Sequence, residues 1–233
     1  MMPEPVPQFN PQPEKVKLLE RSEHSSIGFL KDQLPAKDIA LISPAKLAKL
    51  KEEDFQIWIQ RHFGIHASYS DLDYANAGAD IVDTAYLVIQ NAHLITKLEP
   101  LTWEEALFLK PKQIIITSLD FNSLSPEYFT ILREKNITAF GLDFIENMDG
   151  GSILQDIFFR AESPIAITLS LSNFILPLLY TLGISTHLRG TIQANPALFQ
   201  SLYCYKGEIT KREIAEPLNL PWRDFLSQYW NLN

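Results

Sequence analysis

From residue 26 to residue 141 the chain alternates short apolar runs with segments that begin like capped helices. The apolar runs are typical of strands, and Ile114-Ile115-Ile116 is the most β-branched of them. Between the runs, the pairs Ser70/Asp73 and Thr102/Glu105 have the spacing of capping boxes. Strands that alternate with short helices predict βαβ units. We therefore predict an α/β domain of three layers, in which helices cover both faces of a mostly parallel sheet.

The glycines of the chain exclude the common nucleotide-binding loops. There are nine glycines among 233 residues, and no two of them are spaced as G-x-G. Both the dinucleotide-binding turn G-x-G-x-x-G and the phosphate-binding P-loop need glycines at fixed positions. We therefore expect neither loop, and no bound cofactor.

Charge and cysteine content narrow the classes of partner and compartment. The net charge of −8 argues against nucleic acid or an anionic membrane as the main partner. The single cysteine, Cys204, excludes an internal disulfide and suits a reducing compartment, so we expect a cytoplasmic protein. Five prolines among the first thirteen residues predict a flexible tail, followed by a short helix, over residues 1–25.

Residues 163–186 carry no Asp, Glu, Lys or Arg. Their length would suit a membrane span, which is the alternative interpretation. However, several polar side chains interrupt the segment, and Pro177 lies inside it. We therefore predict a buried helix that packs on the sheet and is kinked or broken at Pro177. Further on, Thr210 and Glu213 have capping-box spacing and predict one more helix start.

Residue types alone point to no catalytic or metal site. His62 and His66 are four residues apart, but they flank Gly64 and no acidic or cysteine cluster lies beside them in the sequence, so we expect no metal. Cys204 stands between two tyrosines without a basic neighbour, which is typical of a buried, unreactive thiol. A G-x-S-x-G nucleophile elbow is absent.

Several motifs between residues 28 and 151 occur in an ordered series. The most specific runs from Tyr69-Ser70-Asp71 through Ala77-Gly78-Ala79-Asp80-Ile81-Val82 and is similar to the pattern F-S-D-x-x-Y-x-x-A-G-A-x-I-V. Further motifs fall at Gly28 to Asp32, Ala40 to Pro44, Lys97 to Pro100 and Asp149-Gly150. Residues 28–151 thus resemble the N-terminal domain of alanine dehydrogenases and of the nicotinamide nucleotide transhydrogenase alpha subunit.

The last third of the chain resembles the far end of the same family. This likeness rests on Leu171-Ser172-Asn173 with Pro177, on Asn195 to Leu198 and on Tyr205 to Thr210. In the family, an NAD-binding Rossmann domain lies between the two halves. The resemblance implies that this Rossmann domain is missing here. It implies a single domain over residues 26–233, built from segments 26–153 and 164–233 and joined by a short bridge, because the ends of an inserted domain lie close together on its host.

The resemblance also places four vestigial positions of the substrate pocket. The family's carboxylate-binding arginine corresponds to Ile39, which cannot form a bidentate clamp. Lys97 is the one lysine that remains of the K-V-K-E-P motif, whose second lysine lies at the substrate in the family, and Lys97 could match either of the two. The family's histidine after the following strand corresponds to Asp120, a poor proton donor at neutral pH. Asn173 belongs to the L-[ST]-N helix motif. We expect no catalytic residue among these four.

Three functions follow from the resemblance. The first is a non-catalytic relative of alanine dehydrogenase with an interaction or regulatory role. The second is an oxidoreductase component that needs a coenzyme domain supplied in trans. The third is a module that binds an amino or keto acid without changing it. The resemblance suggests a second copy of the chain, or a full-length dehydrogenase relative, as the partner.

Overall fold

A computed structural model describes residues 26–33, 39–119 and 124–225. The predicted tail and helix over residues 1–25 lie outside the described residues. The described part contains one sheet of eight strands, in the order β3-β2-β1-β4-β5-β6-β7-β8. The first six strands are parallel, and β7 and β8 are added antiparallel at one edge. The predicted fold class, α/β with a mostly parallel sheet, is confirmed.

The strands are short, and β5 begins at Ile114, where the predicted β-branched run begins. Their bounds are β1 Ser26–Phe29, β2 Gln56–Gln60, β3 Asp80–Val82, β4 Leu94–Thr96, β5 Ile114–Thr117, β6 Thr138–Gly141, β7 Leu202–Tyr205 and β8 Glu208–Ile209. All four residues of β5 are buried, as the central position of this strand in a covered sheet requires.

Ten α-helices cover the two faces of the sheet in the described residues. Their bounds are α1 Pro44–Glu52, α2 Asp71–Asn76, α3 Ala85–Asn91, α4 Trp103–Phe108, α5 Pro126–Glu134, α6 Ile153–Arg160, α7 Pro164–Gly183, α8 Leu188–Ala194, α9 Pro196–Ser201 and α10 Arg212–Ala215. The buried side chains of α1, α2 and α6 to α9 belong to the core on one face. Those of α3, α4, α5 and α10 belong to the core on the other face, which completes the three layers.

The sheet reverses its winding direction at β1. From β1 the chain adds β2 and β3 on one side, and then returns to add β4, β5 and β6 on the other. The helices change face at the same point, because α1 and α2 cover one face while α3, α4 and α5 cover the other. In doubly wound sheets, ligands bind outside the carboxyl ends of the strands at this switch point. Here the switch point lies between β1 and β4.

The predicted helix starts are correct where the caps are local. Both capping boxes form, at Ser70/Asp73 and at Thr102/Glu105. A helix does start near Thr210/Glu213, as predicted, but the pair forms no capping box, so that part of the prediction is wrong. The Thr210 hydroxyl instead donates to the carbonyl of Leu202, and α10 begins at Arg212.

The long apolar segment is the continuous helix α7, which runs through Pro177 without a break. Its buried side chains, among them Leu171, Ile175 and Leu179, pack against the sheet and α1. Within the described residues, α7 is the one helix with the length and composition of a membrane span, a test that a core helix also passes. The packing agrees with the predicted core helix.

Two side chains of α7 fasten the segment between β1 and α1. The hydroxyl of Thr168 accepts a hydrogen bond from the backbone N–H of Ala40 at 3.0 Å. The hydroxyl of Ser172 accepts one from the N–H of Ser43 at 2.8 Å. The four groups are buried, so these bonds satisfy backbone donors that water cannot reach. Each bond joins the segment between β1 and α1 to α7, which lies more than a hundred residues later in the chain. Together the bonds hold the neighbouring Ile39 at the switch point.

Candidate functional site

A cavity of about 320 Å³ opens at the carboxyl ends of β1, β4, β5 and β6. Its polar wall comes from the loops that follow these four strands. The side chains there are Asp32 after β1, Glu99 after β4, Ser118 after β5 and Asp143 after β6, and His66 joins them from the segment after β2. The cavity therefore lies at the switch point, where the doubly wound topology places ligands.

The remaining wall of the cavity is apolar. Ile39, Phe63 and Leu154 are nearly fully buried and belong to the core beneath it. Leu154 and the half-buried Phe158 come from α6. The space combines an apolar floor with a few polar groups, which is typical of small-molecule sites.

A second cavity, of about 400 Å³, adjoins the first across the edge of the sheet. Asp32 and His66 line both spaces, so the two form one crevice. The second space is polar, with Lys31, Gln60 and Glu105 among its described lining residues.

Lys97, at the end of β4, forms a buried ion pair with Glu105 of α4. Its Nζ lies 2.9 Å from Oε2 and 3.2 Å from Oε1 of Glu105, and the Lys97 side chain is 0% exposed. Glu105 is fixed in turn, since its Oε2 accepts the N–H of Thr102 at 2.8 Å in the capping box. Both carboxylate oxygens therefore contact the ammonium, and the charge of Lys97 is neutralised inside the protein.

Backbone N–H groups hold the three carboxylates of the main cavity. Oδ1 of Asp32 accepts the N–H of Glu99 at 2.8 Å, and Oε2 of Glu99 accepts the N–H of Gln33 at 2.8 Å. Oδ2 of Asp143 accepts the N–H of Leu119. These bonds tie the loop after β1 to the loop after β4, and the loop after β5 to the segment after β6.

Burial makes two of these carboxyl groups harder to ionise. It raises the pKa of Asp32 to about 6, with the negative charges of Glu99 and Glu105 adding to the effect; the N–H of Glu99 and the charge of Lys97 oppose it. Burial also raises the pKa of Asp143, against hydrogen bonds from backbone N–H groups. Perturbed carboxyl groups in a cleft indicate a functional site when geometry supports it, as the crevice does here.

The four positions placed by resemblance are only partly brought together. Ile39 lines the cavity, and Lys97 lies beside it but points into its ion pair with Glu105. Asn173 is exposed on α7 and is not among the described lining residues. Asp120 lies outside the described residues.

The polar residues that line the cavity are not predicted as site residues from the sequence; they are Asp32, His66, Glu99, Ser118, Asp143 and Gln155. The sequence signal that could have found Asp32, Ser118 and Asp143 is their position. Each closely follows a predicted strand, and the carboxyl ends of parallel strands meet at one edge of the sheet. His66 lies in a 3₁₀ helix, Ile65–Ala67, while His62 faces Asp71 instead. No three His, Cys, Asp or Glu side chains in the described part of the chain are grouped to hold a metal ion.

Cys204 has no place in this crevice. It lies fully buried in β7, and burial raises the pKa of its thiol to about 12. The thiol donates weakly to the carbonyl of Ile137 at 3.6 Å. It packs as a small apolar residue, as the sequence predicts.

The doubly wound sheet with a crevice at its switch point defines the class of α/β proteins to which the chain belongs. Comparison with known families narrows this class. Residues 39–157, just over half of the chain, match the family described as alanine dehydrogenase/PNT, N-terminal domain. The chain belongs to this family, which confirms the resemblance of its first half; residues 28–38 and the last third lie outside the match.

Individual relatives of the chain are named as alanine dehydrogenases or as transhydrogenase subunits. The chain is 30% identical over 124 residues to an alanine dehydrogenase of Methanococcus maripaludis, a match that covers 53% of this chain and 33% of that protein. It is 25% identical over 130 residues to an NAD(P) transhydrogenase alpha subunit of Rickettsia prowazekii, with 52% and 34% covered. The matches thus span about a third of the length of these relatives.

A solved structure titled L-alanine dehydrogenase shares the fold. The superposition has a TM-score of 0.50 at 23% sequence identity and covers 57% of this chain and 36% of that chain. At this level of identity the likeness concerns the fold alone.

We predict that the Lys97–Glu105 pair is strongly coupled. Lys97→Met leaves a buried carboxylate without its counter-charge, and Glu105→Gln leaves a buried ammonium; each should lower the free energy of unfolding by about 3 kcal/mol. The double variant Lys97→Met/Glu105→Gln should lose clearly less than the sum. Urea unfolding measures all three variants.

The exposed pair Arg212–Glu216, at 2.6 Å, is the matched control for this cycle. Arg212→Met should cost no more than about 0.5 kcal/mol, because solvent screens the pair. Strictly additive effects of Lys97→Met and Glu105→Gln would contradict the coupling.

We predict that Asp32 gives the protein a pH-dependent stability. Its folded pKa of about 6 lies above the ordinary value of 3.8, so the folded state holds the proton more tightly and stability falls as the pH rises between these values. Asp32→Asn keeps the acceptor for Glu99 and should raise the free energy of unfolding by about 1–3 kcal/mol above pH 7. The gain should shrink towards about pH 4.

Chemical unfolding across this pH range is the measurement. The exposed Asp80→Asn is the control, and it should show no such pH-dependent gain. A gain for Asp32→Asn that is equal at acidic and neutral pH would show that ionisation of Asp32 is not its cause.

Proposed function

We propose that this chain is a non-catalytic member of its family, which acts by binding a small molecule and a protein partner rather than by hydride transfer. The observation that carries the proposal is the buried ion pair of Lys97. A lysine that contacts a substrate needs an accessible ammonium, whereas Nζ of Lys97 is fully buried against both oxygens of Glu105.

Two further features support the loss of catalysis. Ile39 lines the cavity at the position where the family resemblance expects an arginine, and an aliphatic side chain offers a carboxylate no donor. The sequence has no G-x-G turn, so this chain supplies no nucleotide loop of the Rossmann type. Hydride transfer requires a nicotinamide held within about 3–3.5 Å of the reacting carbon.

The link between the two segments supports the loss of the coenzyme domain. The family resemblance places that domain between residues 153 and 164, and here the eight-residue helix α6 occupies this stretch. The helix covers the core with Leu154 and, partly, with Ile157 and Phe158. In this proposal α6 takes over part of the packing that the absent domain would provide, in a single domain over residues 26–233.

The proposed partner is a second copy of the chain or a full-length dehydrogenase relative in the cytoplasm. Phe159, at 90% exposed, and Ile165, at 58% exposed, lie at the junction of α6 and α7. An apolar surface of this kind is typical of an interaction site. The same surface favours a second candidate function, in which a separate chain docks here and supplies the coenzyme domain in trans.

A spectrophotometric assay with NADH, pyruvate and ammonium tests the proposal. The purified protein should not oxidise NADH, because it has no coenzyme loop of the Rossmann type and the ammonium of Lys97 is buried against Glu105. Activity that scales with the concentration of the pure protein would contradict the proposal.

The variant Lys97→Met/Glu105→Gln controls for contaminating dehydrogenases, whose activity would persist in its preparation. Activity that appears only after a second chain is added would instead support the second candidate.

A further inference from the structure

We propose that the switch-point cavity binds a small organic amine in its cationic form. The ammonium would lie between the carboxylates of Asp32 and Asp143, and the apolar part of the ligand would contact Ile39, Phe63 and Leu154. The inference rests on the proposed function, in which the cavity holds a small molecule. It adds the chemical class of that molecule.

The charge of the cavity lining favours a cation. Asp32, Glu99 and Asp143 contribute three carboxyl groups and His66 one imidazole, and the described lining residues of the main cavity include no lysine or arginine. An anionic ligand would lie next to these like charges in a partly buried space, where electrostatic interactions are stronger than in water. A cation would be attracted by the same groups.

The nearby charges do not reverse this sign. The charge of Lys97 is balanced by Glu105, and Lys31 lines the adjoining polar space together with two carboxylates, those of Asp32 and Glu105. Residues 34–38 and 120–123, which lie outside the described structure, contain one basic residue, Lys37, and two acidic residues, Asp38 and Asp120. With one positive and two negative side chains, these segments carry a net charge of −1.

The two aspartates retain hydrogen-bonding capacity for a ligand. Asp32 uses Oδ1 to accept the N–H of Glu99, and Asp143 uses Oδ2 to accept the N–H of Leu119. A carboxylate has about four acceptor sites, so each group keeps capacity for a further donor. An alkylammonium carries three donors and no acceptor, which matches a wall of acceptors.

The apolar floor of the cavity favours an organic amine over a metal ion. No three of the described carboxylate and imidazole groups are grouped closely enough for a metal site. Ile39, Phe63 and Leu154 instead offer a hydrophobic surface that a bare ion could not use. A ligand with a cationic head and an apolar body uses both walls of the cavity.

A matched ligand series tests the proposal by isothermal titration calorimetry at neutral pH. The probes are benzylamine, benzyl alcohol and benzoate, together with isobutylamine and isobutyrate. Each amine should bind at least about tenfold more tightly than its neutral or anionic counterpart, because charge-assisted hydrogen bonds are stronger than neutral ones. Tighter binding of the carboxylates, or no binding of either amine, would overturn the proposal.

Two variants locate the site. Asp143→Asn and Asp32→Asn should each weaken amine binding about tenfold and leave the binding of benzyl alcohol unchanged, since each removes a charge and little volume. Asp80→Asn, an exposed change on β3, is the matched control and should have no effect. Unchanged amine affinity in both Asp32→Asn and Asp143→Asn would overturn the assignment even if amines bind.

The outcomes separate this inference from the proposed function. Preferential binding of benzoate without oxidation of NADH would overturn the amine assignment and leave the non-catalytic function standing. Oxidation of NADH by the pure protein would overturn the non-catalytic function, whichever ligand binds.

Discussion

The buried ion pair between Lys97 and Glu105 fixes the chemistry of the switch point. Two opposite charges at 2.9 Å inside a protein are costly to bury singly but tolerated together. Glu105 is held at the first turn of α4 by its capping box, and Lys97 is held at the end of β4. The pair therefore joins the sheet to its covering helix, and the ammonium of Lys97 is held by Glu105 inside the protein.

The rest of the crevice follows from the topology of the sheet. After β1 the chain continues to β2 on one side, and after β4 it continues to β5 on the other side. The loops after β1 and β4 therefore leave a gap between them, which Asp32 and Glu99 line. The backbone N–H groups of Ala40 and Ser43 donate hydrogen bonds to hydroxyls of α7, and these bonds hold Ile39 at the same gap. With Lys97 neutralised, the described carboxylates set the charge of the main cavity, which leads to the proposal of a cationic ligand.

The sequence predicts those features that depend on neighbouring residues. The β-branched run at residues 114–116 and the capping pair Ser70/Asp73 act locally, and both appear as expected. The pair Thr210/Glu213 forms no capping box, because the hydroxyl of Thr210 instead donates a hydrogen bond to the carbonyl of Leu202 in the neighbouring strand. A capping pattern in the sequence does not reveal such competing hydrogen-bond acceptors.

The site is less predictable, because its members come from distant parts of the chain. Resemblance locates Ile39 at the cavity, but Asn173 of the same pattern lies exposed on α7. That Glu105 pairs with Lys97 depends on α4 starting over the end of β4, which no local pattern reveals. The convergence of Asp32 and Asp143 depends on the full order of the strands.

We propose, above all, that this chain keeps a switch-point crevice without the means to hold a coenzyme. Titration of the pure protein with NADH, followed by the fluorescence of the reduced nicotinamide, tests this most directly. We predict no saturable change in fluorescence at any protein concentration. A saturable signal that NAD⁺ displaces would show that this chain binds the coenzyme, and would contradict the proposal.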